Sequence, residues 1–161
     1  MTLASAPYRT HTCGELRSTH IAQTVKLSGW VHRKRDHGPL VFIDLRDHYG
    51  VTQCVIEQDT DTFPLAESLR NETVITITGT VIARDPEAVN PKMPTGTIEV
   101  KITDLVVQSL ADTLPLQVNS HGEFPEETRL TYRFLDLRRE KLHQNIVLRS
   151  KIISSIRQRM I

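Results

Sequence analysis

Three groups of side chains in this 161-residue sequence have types and positions suited to chemistry. Phe42 stands in Leu40-Val41-Phe42-Ile43-Asp44-Leu45-Arg46, where strand alternation puts Val41, Ile43 and Leu45 on one face and Leu40, Phe42, Asp44 and Arg46 on the other. The all-aliphatic face must point inward, which leaves Phe42 outside among charged residues. An aromatic ring there can stack on an unpaired base for roughly 1–3 kcal/mol; the alternative is that the ring packs under a loop. Gln53 alternates with an inward Cys54 and Ile56, so it shares the outer side with Phe42. Its amide both donates and accepts, which matches the Watson–Crick edge of a uracil, although a solvated strand glutamine is the plainer account. Arg33-Lys34-Arg35 supply three cations suited to a phosphate backbone or an arginine-to-base contact. A basic triplet alone usually marks a solvated face; beside Phe42 and Gln53 it points to nucleic acid.

Catalytic constellations do not emerge. The seven glycines form no phosphate-cradling loop of Walker or dinucleotide type, and no Ser/His/Asp or Cys/His set is spaced for nucleophilic work. The seven histidines are scattered, and His32 with His37 reads as strand and loop surface rather than a metal pair. By itself this chain is expected to bind and to catalyse nothing, without a cofactor of its own. Cys13 and Cys54 have neither metal nor disulfide-framework spacing, no apolar run reaches transmembrane length, and the front lacks a secretory profile, so the expected compartment is the cytoplasm. The net charge of +1 hides a gradient: residues 61–128 carry four Lys/Arg against eleven Asp/Glu, and residues 129–161 carry nine against two.

The elements that must position these residues are mostly strands. Five runs rich in Val, Ile and Thr stand out: Thr24–Arg35, Pro39–Asp47, Val51–Glu57, Thr73–Arg84 and Gly96–Ser109. Between the third and fourth, Thr62–Asn71 reads as a short helix capped by Asp61 or Thr62, with Pro64 in its first turn and Leu65 and Leu69 as an apolar i,i+4 pair. Strand-strand-strand-helix-strand-strand is the order of a five-stranded Greek-key OB-fold barrel, whose strand-two and strand-three face binds oligonucleotides. That assigns residues 1–110 to the barrel. The Pro-, Asp-, Glu- and Gly-rich residues 111–128 read as a linker, and residues 129–161 as helix, with Leu142, Ile146, Ile153, Ile156 and Met160 at helical spacing. The apolar pattern runs on to Ile161, which predicts a chain cut before the element this helix packs on.

Strung together, Ser28-Gly29-Trp30-Val31-His32-Arg33-Lys34-Arg35-Asp36-His37-Gly38, Phe42-Ile43-Asp44-Leu45-Arg46-Asp47 and Gly50-Val51-Thr52-Gln53 resemble the anticodon-binding domain of bacterial-type aspartyl-tRNA synthetases. Thr95-Gly96-Thr97-Ile98-Glu99-Val100 is similar to that family's fifth strand, and Tyr132-Arg133-Phe134-Leu135-Asp136-Leu137-Arg138-Arg139 to the hinge before its class II catalytic domain. The resemblance implies that Phe42 stacks on the central anticodon uridine and Gln53 hydrogen-bonds it. Arg33 and Arg35 would lie at the anticodon, Arg35 near its last base. Glu99 would accept from the first-position guanine, and the Arg84–Met93 loop, with Asn90, would close over that base. His37 stands where members specific for tRNA(Asp) typically carry leucine and members charging both tRNA(Asp) and tRNA(Asn) typically carry histidine. The latter also tend to have a glycine in the loop where this chain has Glu87-Ala88, a departure that bears on discrimination. For the complete enzyme the resemblance implies ATP and Mg2+, aspartylation of tRNA through an adenylate, and a homodimer, with the tail helix as the start of the dimer-forming first class II motif. Two other readings compete. A sequence-tolerant single-strand binder would show more aromatics than the 5% present and a basic groove instead of an acidic middle. A protein-binding barrel or assembly module leaves Phe42, Gln53 and the basic triplet without a role.

Overall fold

The computed structural model describes residues 8–120 and 122–160; expectations touching residues 1–7, His121 and Ile161 lie outside the described residues. The chain divides into two compact units, Met1–Asp112 and Thr113–Ile161.

In the first unit, β1 (Thr24–His37), β2 (Leu40–Arg46), β3 (Val51–Glu57), β4 (Val74–Ala83) and β5 (Ile98–Ser109) close into a barrel in the order β1-β2-β3-β5-β4. Neighbours pair antiparallel except β3 and β5, whose short parallel contact at Cys54↔Val100 and Val55↔Lys101 completes the ring. Closure leaves no free strand edge to template aggregation. This is the expected OB-fold. Its interior is the aliphatic face read from the sequence: Val41, Ile43 and Leu45 are at most 1% exposed, alongside Val25, Leu27, Val31, Ile56, Ile75, Ile77 and Val100.

Two details of the β1–β2 hairpin decide what faces outward. Val25, Leu27 and Val31 point in, and strict alternation from them would drive Arg33 and Arg35 into the core, where an unpaired cation is prohibitively costly. The register instead slips by one residue at His32: Val31 pairs Leu45, but Arg33 pairs Asp44. This bulge re-phases the strand and turns both arginines outward, as bulges beside functional faces often do. The strands then run to a two-residue turn at Gly38-Pro39, with Gly38 at φ +60, the left-handed conformation such hairpin turns need and glycine accepts. Arg33, Lys34, Arg35 and His37 are therefore strand residues and not part of a loop.

The helix between β3 and β4, α1, spans Phe63–Ser68 and is shorter than expected. Its Thr62 cap position makes no side-chain bond. Phe63, Ala66 and Leu69 face the barrel core at i,i+3 spacing while Leu65 is exposed, which corrects the expected Leu65–Leu69 pair. A helix this short can present only one side, and the bulkier Phe63 takes it. The front of the chain also enters the core, which the sequence reading missed. Cys13 and Leu16 are fully buried. The Asp47 carboxylate accepts from the backbone N–H groups of Cys13 (2.9 Å), Tyr49 (2.7 Å) and Gly50 (3.0 Å), and Thr52 Oγ1 donates to the Cys13 carbonyl at 2.6 Å.

In the second unit, the helices are α2 (Glu126–Thr131), α3 (Arg133–Asp136) and α4 (Glu140–Arg159). The stretch read as a linker contributes Leu116 and Val118 to a small core with Leu135, flanked by Leu114 and Phe124, so it is not a bare tether. The expected continuous helix is broken after Thr131 and after Asp136. A fully buried Asp136 carboxylate explains the break, for it gathers Arg129 (3.2 Å), Arg133 (3.3 Å) and Arg139 (3.4 Å) from three segments. Ile146, Leu148, Ile152, Ile153 and Ile156 of α4 are all exposed. Among the described residues, no helix is long and apolar enough to cross a membrane.

Candidate nucleic-acid interface

The outer face of β1, β2 and β3 is assembled by register. Arg35 lies opposite Phe42 across β1–β2, and Asp44 lies opposite Gln53 across β2–β3. Phe42 is half-buried on this face, outside the barrel core. The His37 ring meets it edge-on, with centroids 5.6 Å apart at 81°, and the Arg35 guanidinium carbon lies 5.9 Å from its centroid. The ring is thus braced by a histidine in T-shaped contact and by a guanidinium over it, contacts that restrict its orientation.

Beside Phe42 runs one hydrogen-bonded line. Arg35 Nη2 donates to Asp44 Oδ1 at 2.8 Å and to Gln53 Oε1 at 3.0 Å; Gln53 Nε2 donates to Glu99 Oε2 at 2.8 Å. The amide of Gln53 is thereby oriented, its oxygen toward Arg35 and its nitrogen toward Glu99. It is also only 8% exposed, so it is not the solvated strand glutamine of the plainer account, and its amide is bonded at both ends to charged neighbours. Arg35 Nε is buried with no hydrogen-bond partner. So is Nη2 of Arg84, whose Nε donates to the Ile98 carbonyl at 2.9 Å. Burial pushes the Arg84 guanidinium pKa down, and the nearby Glu99 carboxylate opposes that shift. Orphaned donors on a polar face are costly unless a ligand meets them.

The remaining anticipated residues are less tightly joined. Arg33 is exposed and pairs across strands with Asp44. Lys34 turns aside: its ammonium donates to the Glu67 carbonyl and lies 3.6 Å from Asp36. Glu87 and Ala88 are exposed in a 3-10 turn, Pro86–Ala88, capped by Asp85 Oδ1 accepting from Glu87 N at 3.1 Å. Asn90 is half-buried; its Oδ1 accepts from Lys92 N at 3.0 Å, and its carbonyl lies 1.8 Å from where a Cβ on Gly96 would sit, so only glycine fits there. Among the described residues, no hydrogen bond joins Arg33, Glu87, Ala88 or Asn90 to the Arg35–Gln53–Glu99 line. Sequence reading placed Asp44 on the outer face and Arg84 at the start of the loop after β4, but gave neither side chain a role of its own. The available signal was weak: a carboxylate two residues after Phe42 on its side of β2, and an arginine just past the uncharged β4. Among the described residues, no three His, Cys, Asp or Glu side chains group as metal ligands do.

A family model described as an OB-fold nucleic acid binding domain matches residues 25–108, the barrel that carries this face. The chain belongs to that family. A second model, tRNA synthetases class II (D, K and N), matches residues 125–161, so the barrel is followed by a segment of synthetase type. Among curated relatives, aspartate–tRNA(Asp/Asn) ligase of Phenylobacterium zucineum is 60% identical over 96% of this chain and 26% of its own length. The ligase of the same name from Dinoroseobacter shibae is 60% identical over 95% of this chain and 26% of its own length. The chain thus spans about a quarter of the length of these relatives. Among solved structures, aspartyl tRNA synthetase from Entamoeba histolytica superposes with a TM-score of 0.78 at 22% identity, covering 89% of this chain and 35% of that one, a likeness of fold.

Proposed function

We propose that this OB-fold domain reads the anticodon of tRNA on behalf of an aspartate–tRNA ligase. The observation that carries the reading is Phe42, braced by His37 and Arg35 on the outer barrel face beside the Arg35–Gln53–Glu99 line. A flat ring receives an unstacked base, and the adjoining amide, guanidinium and carboxylate present donors and acceptors at its flanks. In this reading Phe42 stacks on the central uridine and Gln53 hydrogen-bonds it. Arg35, with Arg33 beside it, meets the last base. Glu99, which only accepts, takes the donors of the first-position guanine, and Asn90 lies in the loop above.

The longer protein to which such a domain belongs would join aspartate to ATP and pass the aspartyl group to tRNA in the cytoplasm. That longer protein would use ATP and Mg2+, a reading that the class II synthetase segment after the barrel supports. The exposed apolar side of α4 supports pairing of two such proteins as a homodimer. Acceptance of both tRNA(Asp) and tRNA(Asn) is supported by His37, whose neutral ring donates at one nitrogen and accepts at the other, and by relatives named for both tRNAs. Exposed Glu87 and Ala88 stand where that group tends to have glycine, and they are the positions to exchange if discrimination differs.

Fluorescence titration of the chain with anticodon stem-loops tests the reading. The expected result is tighter binding to GUC and GUU loops than to scrambled loops, with GUC and GUU alike within a few-fold. Equal affinity for all loops indicates a sequence-tolerant binder, and no binding to any indicates a protein-binding barrel.

A further inference from the structure

We infer that Asp44 is a positioning residue of the reading face, one that sets base selectivity by holding the Arg35 guanidinium. This rests on the proposed anticodon reading. The geometry is specific. Asp44 and Gln53 are cross-strand partners, and both bind the same nitrogen of Arg35, Nη2, at 2.8 and 3.0 Å. Two acceptors on one nitrogen fix the plane of the fork, because the guanidinium is rigid and planar. Nη1 makes no hydrogen bond with the described residues, and Nε is buried without a partner, so both remain uncommitted donors while Nη2 is held. The Asp44 side chain is 15% exposed and that of Arg35 37%, so the pair is half-sheltered and its attraction is only partly screened.

Two consequences follow for selectivity. An arginine without Asp44 is a mobile cation on a long stem, and such a cation finds phosphates, which every sequence offers. Held by Asp44, the same group can meet only a base placed in one position, and part of its charge is offset by the carboxylate. Asp44 thus trades general affinity for discrimination. The Gln53 amide inherits the same orientation, since its oxygen accepts from the nitrogen that Asp44 holds.

The test compares the chain with its Asp44→Asn variant, using GUC stem-loops and loops with a purine in the last anticodon position. Asp44→Asn is expected to lower the ratio of the two affinities by about tenfold, the size of one charge-assisted hydrogen bond. It should also steepen the loss of affinity with salt. In an Arg35→Ala background the same substitution should change neither. Asp44→Ser serves the same comparison if Asp44→Asn does not fold. A selectivity ratio unchanged in either folded variant overturns the inference, as does an equal loss in the Arg35→Ala background. NMR relaxation of the Arg35 Nε–H group in the free chain gives a readout independent of RNA: ordered in the parent, mobile in the variant. If the parent itself shows no preference among loops, the anticodon reading falls, and the relaxation data alone decide whether Asp44 holds Arg35.

Discussion

A phenylalanine on the wet side of a β-barrel is an energetic oddity unless something covers it, and Phe42 is only partly covered, by His37 and Arg35. The ring is half-buried but lies outside the barrel core, so removing it should cost less stability than deleting a core side chain, while a stacked base would lose roughly 1–3 kcal/mol. Phe42→Ala is therefore expected to weaken GUC stem-loop binding by about ten- to a hundredfold, with a thermal midpoint lowered less than by truncation of the core residue Ile43. A large drop in the midpoint with little change in binding would show that the ring serves packing instead. Side-chain type and strand alternation together singled out Phe42 and Gln53. The same reasoning could not say that Gln53 is committed at both ends, because Asp44, Arg35 and Glu99 come from three strands and meet it only after the barrel closes.

Between residue and fold lies the β1–β2 hairpin, where a one-residue slip at His32 turns Arg33 and Arg35 outward. Its other end is anchored at Gly29, where a Cβ would sit 2.2 Å from the carbonyl oxygen of Arg46 on β2. Backbone cannot yield as a side-chain tip can, so Gly29→Ala is expected to cost at least about 1–3 kcal/mol of overpacking. Urea denaturation measures it, and an unchanged midpoint would mean that the strands separate there at no cost. The glycine-tryptophan pair was visible in the sequence as part of the family resemblance. The reason for it, close approach of two strands, was not.

For the whole barrel, stability should respond to pH through His32. Arg46 Nη1 donates to His32 Nδ1 at 2.8 Å, while Nη2 bonds both carboxylate oxygens of the buried Glu72 at 2.8 and 3.0 Å. Burial first, and the Arg46 charge second, push the His32 pKa below the ordinary histidine value. The folded chain therefore binds a proton there less readily than the unfolded chain. The contribution of His32 is present in full above about pH 6.5 and is lost as pH falls toward its depressed folded value. Thermal midpoints are expected to decline across that window, and His32→Gln, which still accepts from Arg46 and does not titrate, should flatten the decline. An unchanged profile in the variant would assign the decline to other groups.

Alternation and composition by themselves determined the five strands, their order around a closed barrel, and the side of β2 and β3 that faces outward. The reason is that burial of Val41, Ile43 and Leu45 dominates the energetics and has a strict period of two. The limits of local reasoning appear where long-range contacts compete with that period. Only the tertiary structure decided that a bulge re-aims Arg33 and Arg35, that Phe63 displaces Leu65 as the buried residue of α1, and that residues before Thr24 seal the core. It also decided that Leu116 and Val118 leave a linker-like stretch to pack with Leu135. Each of these depends on a partner far away in the chain, and no window of neighbouring residues contains that partner.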